Sequence, residues 1–232
     1  MKTIGLIGGM SWESTQSYYQ ALNIGVRQRL GGLHSARILL YSVDFAEIEQ
    51  LQHQGRWAET AVLLGGAAQA LQAGGADFML LCTNTMHKVA SEIAESVDIP
   101  LLHIADATAA QLKQDGIGKV GLLGTRFTME QDFYKNRLTE HHGIEVLIPD
   151  EQQRQLVHQV IYQELCLGSI NPLSKQQYLM IIEQLFAAGA EAVILGCTEI
   201  ALLVQQADTR VPLYDTTALH AEAAITQALQ SS

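Results

Sequence analysis

The chain has 232 residues, 48% hydrophobic and 16% charged, with 14 Lys and Arg against 24 Asp and Glu. That length suits one large domain or two small ones, and the composition excludes both a disordered and a supercharged chain. The net charge of −10 is carried evenly, 7 basic and 11 acidic groups in residues 1–116 and 7 and 13 in residues 117–232, which argues against nucleic acid or an anionic membrane as partner.

The opening Met-Lys-Thr-Ile-Gly-Leu-Ile-Gly-Gly is too short an apolar run for a secretory signal. No window approaches the roughly 18 uninterrupted apolar residues of a membrane span. Cys82, Cys166 and Cys197 form no C-x-x-C, so neither a disulfide framework nor a zinc ribbon is expected. A soluble cytoplasmic protein is the expectation.

Short apolar runs at 3–8, 36–43, 76–82, 100–103, 119–124, 144–148, 190–196 and 212–214 are expected as strands. Most are continuously apolar, as in strands buried on both faces of a parallel sheet. Between the first two, residues 11–30 carry Trp12, Tyr19, Leu22, Val26 and Leu30 at near-helical spacing. Further on, Thr128-Met-Glu-Gln131 and Ser174-Lys-Gln-Gln177 read as capping boxes that start helices. Strand alternating with helix predicts an α/β fold.

The two halves repeat. Lys2-Thr-Ile-Gly-Leu-Ile-Gly8 matches Gly118-Lys-Val-Gly-Leu-Leu-Gly124, at an offset of 116 residues. Ala73-Gly-Gly-Ala-Asp-Phe-Met-Leu-Leu-Cys82 matches Ala187-Ala-Gly-Ala-Glu-Ala-Val-Ile-Leu-Gly196, and Ile99-Pro-Leu-Leu matches Val211-Pro-Leu-Tyr214. Two similar four-stranded, mostly parallel α/β units related by a pseudo-twofold axis are therefore expected, with the active site in the cleft between them.

The repeat aligns Thr83 with Cys197, each just past the C-terminal end of an expected strand, where open α/β sheets bind ligands. On opposite walls of one cleft the two would suit a two-sided proton transfer. A strand-to-helix turn is expected to lower the Cys197 pKa through the following helix's free N–H groups. A buried structural cysteine is the alternative reading. Thr83-Asn84-Thr85 could cap a helix, whose N–H groups could also hold a carboxylate. Cys82, one residue off the matched position, reads as packing, and Cys166 as structural. Gly5-Leu-Ile-Gly-Gly-Met10-Ser11 is neither dinucleotide fingerprint nor P-loop, and suits close backbone approach to a small ligand. Its repeat partner, Gly124-Thr125-Arg126, would face the same cleft. No histidine pair has metal-ligand spacing, and His87, His103 and His220 read as hydrogen-bonded structural residues.

With Gly-Leu-Ile-Gly-Gly-Met at the start, Cys82-Thr-Asn-Thr-Met-His87 and Gly196-Cys-Thr-Glu199, the chain resembles the cofactor-independent aspartate/glutamate racemase family over essentially its full length. The resemblance implies two α/β units facing across a cleft, often in homodimers, with the C-terminal helix packing back onto the first unit, so that the expected division is 1–105 plus the C-terminal helix 216–232, and 106–215. It also implies no pyridoxal phosphate, no metal, and two cysteines as the proton-abstracting and proton-donating pair. Here Thr83 stands where the first cysteine usually does, while Cys197 matches the second. The pair is asymmetric, which implies good abstraction from L-amino acids and poor abstraction from D-amino acids, because an alkanol is a far weaker acid than a thiol.

The expected substrate is a small acidic amino acid, L-aspartate or L-glutamate, racemised at Cα by Cys197 and Thr83. Asn84, Thr85 and Thr198 are expected on the α-carboxylate, where fixed donors matter most. Glu199 would orient the site or meet the ammonium, with Met10, Gln52 and Thr125 as further lining. If Gln52 rather than a cation faces the substrate side chain, neutral side chains such as homoserine become acceptable. Maleate isomerase, hydantoin racemase and arylmalonate decarboxylase chemistry, or an amino-acid-binding protein without catalysis, are the alternatives.

Overall fold

The computed structural model describes residues 1–230. Backbone contacts divide the chain into two units, Met1–Ile104 with the stretch from His220 on, and Ala105–Leu219. Both boundaries fall inside helices, because each half's last helix belongs to the other half's unit.

The first unit contains β1 (Ile4–Gly8), α1 (Trp12–Leu30), β2 (Ile38–Ser42), α2 (Phe45–His53), α3 (Trp57–Ala73), β3 (Phe78–Leu81) and α4 (Ala90–Ala94). The strands are parallel in the order β2-β1-β3. β1 is buried throughout, whereas β2 is half-exposed because it forms the sheet edge. Alternation sorts the side chains of β3 onto two faces. Phe78, Leu80 and Cys82 pack with Tyr18, Leu22 and Val26 of α1, while Met79 and Leu81 pack with Leu64, Ala68 and Leu71 of α3. Each such Leu or Ile contributes about 1.5–3 kcal/mol by leaving water.

The expected fourth strand at 100–103 is a single bridge, Met79↔Leu101. Met79 N–H donates to Pro100 O, and Leu102 N–H to Met79 O. Beyond it, the Leu102 carbonyl meets a side chain, His220 Nε2, at 2.8 Å. The first sheet thus has three strands and a bridge where four strands were expected.

The second unit takes in most of α5 (Ile104–Gln114), then β4 (Lys119–Gly124), α6 (Arg126–Glu130), α7 (Asp132–Asn136), β5 (Glu145–Leu147), α8 (Glu151–Gln163), α9 (Pro172–Ala187), β6 (Ala192–Gly196), α10 (Ile200–Leu203) and β7 (Leu213–Asp215). Its parallel order, β5-β4-β6-β7, repeats β2-β1-β3-Leu101, as the internal matches predict. The core joins Leu123, Val193 and Leu195 of the sheet to Val157 and Ile161 of α8 and Tyr178 and Ile182 of α9. The last helix, α11 (Thr216–Leu229), buries Ala221, Ala224, Ile225 and Ala228 against Ile4, Leu6 and Tyr18 in the first unit.

Local expectations fail where a nearer cap competes. Thr128 is not a helix start: α6 is capped by Thr125, whose Oγ1 accepts from Thr128 N–H at 3.3 Å. Asn171 caps α9 ahead of Pro172, and Ser174 Oγ donates instead to Glu164. Capping boxes form instead from Asp150 to Gln153 at the head of α8 and from Gln205 to Asp208. Within α1, Trp12, Tyr19 and Leu30 point to solvent, while Tyr18, Leu22 and Val26 form the buried stripe.

Candidate active site

The first set of predicted residues gathers at the C-terminal end of the first sheet. Cys82 N–H donates to Ile7 O, so the chain beyond β3 runs level with the glycine turn beyond β1. That turn needs glycine at position 9, where φ is +92° and a Cβ would lie 2.3 Å from Val43 O. Gly9 N–H donates to Thr15 Oγ1, and Ser11 caps α1. Met10 is buried in the same apolar cluster as Met86, whose Sδ lies 3.7 Å from Gln52 Nε2.

Thr83, Asn84 and Thr85 lead into a 3-10 turn, Thr85–Val89, and all three are buried. Asn84 sits at the cap position, but its side chain makes no cap hydrogen bond, unlike the reading of this segment as a helix cap. Cys82 is fully buried on the α1 face, as its register predicts, and burial pushes its thiol pKa far up. It is a packing residue.

His87 is a buried, hydrogen-bonded residue, as read from the sequence, and the structure adds which atoms it meets. Its Nδ1 lies 2.8 Å from the Thr83 carbonyl, and its Nε2 accepts from Ile104 N–H at 3.2 Å. A motif carries the signal, a histidine four residues past Thr83, but the spacing alone does not say which atom it meets.

The second set gathers at the end of the second sheet. Gly124 pairs with Gly196 in register. A Cβ on either would come within 2.8 Å of a backbone oxygen of the other strand, so glycine is required for β4 and β6 to close here. Thr125 and Cys197 follow these two glycines, each the first residue past its strand. Cys197 is 9% exposed, and its Sγ lies 3.0 Å from Glu199 Oε2. Thr198 Oγ1 donates to the same oxygen at 2.7 Å.

This environment reverses the expected pKa shift. Burial pushes the Cys197 thiol well above its ordinary value, and the negative charge of Glu199 adds to the effect. The backbone of Glu199, at the cap of the four-residue α10, pulls the other way but does not outweigh burial. Cys197 is a neutral thiol that donates to a carboxylate.

Thr83, Asn84, Thr85, Met10 and Gln52 thus lie in the first unit, and Cys197, Thr198, Glu199 and Thr125 in the second. Among the described residues no three His, Cys, Asp or Glu side chains form a metal-binding group. No described helix is long and apolar enough to cross a membrane.

Comparison with known proteins identifies the fold. A family model described as Asp/Glu/hydantoin racemase matches residues 7–224. The chain is 25% identical over 229 residues to a broad specificity amino-acid racemase, RacX, of Bacillus subtilis strain 168, covering 96% of each protein. Among solved structures, a candidate Asp/Glu racemase from Yersinia pestis is 59% identical with a TM-score of 0.93, over 99% of this chain and 100% of that one. An aspartate racemase homologue from Pyrococcus horikoshii OT3 is 33% identical with a TM-score of 0.86, again over 99% and 100%. With a family match spanning nearly the whole sequence, the chain is an isomerase and belongs to the Asp/Glu/hydantoin racemase family.

Proposed function

We propose that this enzyme racemises small acidic amino acids, with L-aspartate or L-glutamate as preferred substrate, by an asymmetric Cys/Thr pair. The observation that carries the reading is the thiol–carboxylate contact of Cys197 and Glu199 at the strand end that the repeat aligns with Thr83. Glu199 takes the thiol proton, and the resulting thiolate takes the Cα proton of the L-amino acid. The electron pair left on Cα extends into the substrate α-carboxylate, held by donors from Asn84, Thr85 and Thr198. The Thr83 hydroxyl relays a proton to the opposite face, taking one from solvent as it gives its own, and Glu199 releases to solvent the proton it took from the thiol. The protein thus returns to its starting protonation, and no electron is lost or gained.

A neutral thiol at rest suits this sequence of events. The Cys197 proton moves only when substrate displaces water and its ammonium approaches, so the sulfur is spared oxidation between turnovers. Thr83 cannot store an anion near neutral pH, so it serves as acid in the L-to-D direction and as a poor base in return. Gln52 in place of a cation favours acceptance of neutral side chains alongside acidic ones.

L-Aspartate incubated in heavy water tests the reading. The intact enzyme is expected to place deuterium at Cα and form D-aspartate, and Cys197→Ser to abolish both. Deuterium uptake that survives in Cys197→Ser overturns the assignment. Binding of aspartate by the intact enzyme with no exchange at all favours a binding protein without catalysis.

A further inference from the structure

Behind Thr83 lies a buried layer of histidines in the first unit. The His87 and His103 rings are 4.4 Å apart between centroids, and those of His87 and His220 are 6.0 Å apart. All three are buried. His220 is anchored in turn, with Nε2 donating to Leu102 O and Nδ1 accepting from Tyr18 O–H, each at 2.8 Å. The imidazole of His87 is thus packed by the His103 ring and by the His220 ring, whose orientation hydrogen bonds fix.

The partners of His87 assign its tautomer. The Thr83 carbonyl can only accept, so Nδ1 carries the hydrogen, and Ile104 N–H can only donate, so Nε2 carries the lone pair. The local backbone leaves room for this contact. His87 N–H donates to Asn84 O in the 3-10 turn, so the Thr83 carbonyl takes the imidazole N–H as well. That bond fixes the Thr83 peptide plane, and with it the direction of the Cα–Cβ bond that carries Oγ1.

We propose that His87 is a positioning residue for the proton-donating Thr83: it holds the Thr83 carbonyl through Nδ1–H and ties it, through Nε2, to the first residue of α5. The inference rests on the racemase reading and adds to it a division of labour. Abstraction at Cys197 is independent of His87, whereas delivery from Thr83 depends on it. Loss of the tether frees the Thr83 hydroxyl to wander, and a misplacement of about 1 Å costs up to roughly a hundredfold in such a step.

Asn and Gln substitutions separate the two ring nitrogens. His87→Asn places an amide N–H near the Nδ1 position and keeps the bond to Thr83, while His87→Gln reaches the Nε2 position and loses it. With L-aspartate in heavy water, two rates are read: deuterium entering recovered L-aspartate, and D-aspartate appearing. His87→Gln is expected to slow D-aspartate formation roughly tenfold to a hundredfold while deuterium entry into the L form stays within about twofold. His87→Asn is expected to restore the ratio of the two rates. If both rates fall together in His87→Gln, or neither falls, the positioning role is overturned. If the intact enzyme shows neither rate, the racemase reading fails first, a distinct result. Nitrogen NMR of the histidine-labelled intact enzyme needs no variant. A hydrogen on His87 Nδ1 supports the tether, and one on Nε2 alone overturns it.

Discussion

Cys197 and Glu199, two residues apart on the turn that leaves β6, are joined by a 3.0 Å hydrogen bond from thiol to carboxylate. The same carboxylate oxygen receives the Thr198 hydroxyl, so two donors converge on it and hold it beside the sulfur. The carboxylate therefore has opposite effects on the thiol. Its charge disfavours the thiolate, yet it is the group placed to receive the proton.

Glu199→Gln separates these effects. Removing the charge is expected to bring the Cys197 pKa down toward the ordinary thiol range, read as a lower pH midpoint for iodoacetamide labelling of the Cys197 peptide. Racemisation is expected to fall about a hundredfold in the same variant, the usual worth of a positioned base. Parallel movement of labelling and turnover would count against the proton-acceptor role.

Thr83→Cys puts an ionisable sulfur where an alkanol now stands. A thiol is a few per cent thiolate near neutral pH, a threonine hydroxyl essentially none. Initial rates from D-aspartate, followed by chiral chromatography, are expected to rise by about tenfold or more. Thr83→Ala should lower turnover from both enantiomers. Unaltered D-aspartate rates in the cysteine variant would place Thr83 away from the reacting carbon.

His220 makes stability depend on pH. It is fully buried, and desolvation pushes its pKa from 6.5 down to about 4. The folded chain keeps the ring neutral while the unfolded chain protonates it below 6.5. Stability is then fully present above pH 6.5, declines as the pH falls toward 4, and levels below. The loss across that window is about 3 kcal/mol. Urea midpoints measured from pH 7 to 4 should show this decline, and His220→Gln should flatten it.

Ile225 anchors α11 against Gly25 of α1, where even a methyl group at position 25 would lie 2.3 Å from Ile225 Cδ1. Ile225→Ala is expected to cost about 3 kcal/mol, transfer and cavity terms together. Chemical denaturation with a fixed slope is the measurement, since a changed slope would signal a different unfolding reaction.

Much of this arrangement is legible in sequence because its causes are local. Apolar runs such as residues 119–124 and 190–196 are strands buried on both faces, and the glycine that ends each run, Gly124 and Gly196, marks where backbones crowd. The matched halves also place Thr83 and Cys197 at equivalent strand ends. What escapes is set by distant partners. The Leu102 carbonyl, where the ladder ends, meets His220, 118 residues away, and His220 is oriented by Tyr18, 202 residues away. The Cys197 pKa is misjudged from sequence for a different reason. A helix start was legible, but not that the helix has four residues, nor that the Glu199 carboxylate turns back onto the sulfur. Trp12 and Tyr19 fit the helical period equally well on the solvent side, since spacing identifies a face without saying which way it looks.

The placement of α11 orders events on the ribosome. Residues 105–219 form a contiguous unit that can close as soon as they emerge. Ile4, Leu6, Phe78 and Leu80 leave the exit tunnel more than a hundred residues before Ala221, Ala224 and Ile225, which cover them. At ordinary translation speeds that interval is on the order of ten seconds. The half of the protein made first is therefore the half finished last, and its apolar face is a natural client for a chaperone until the final helix arrives.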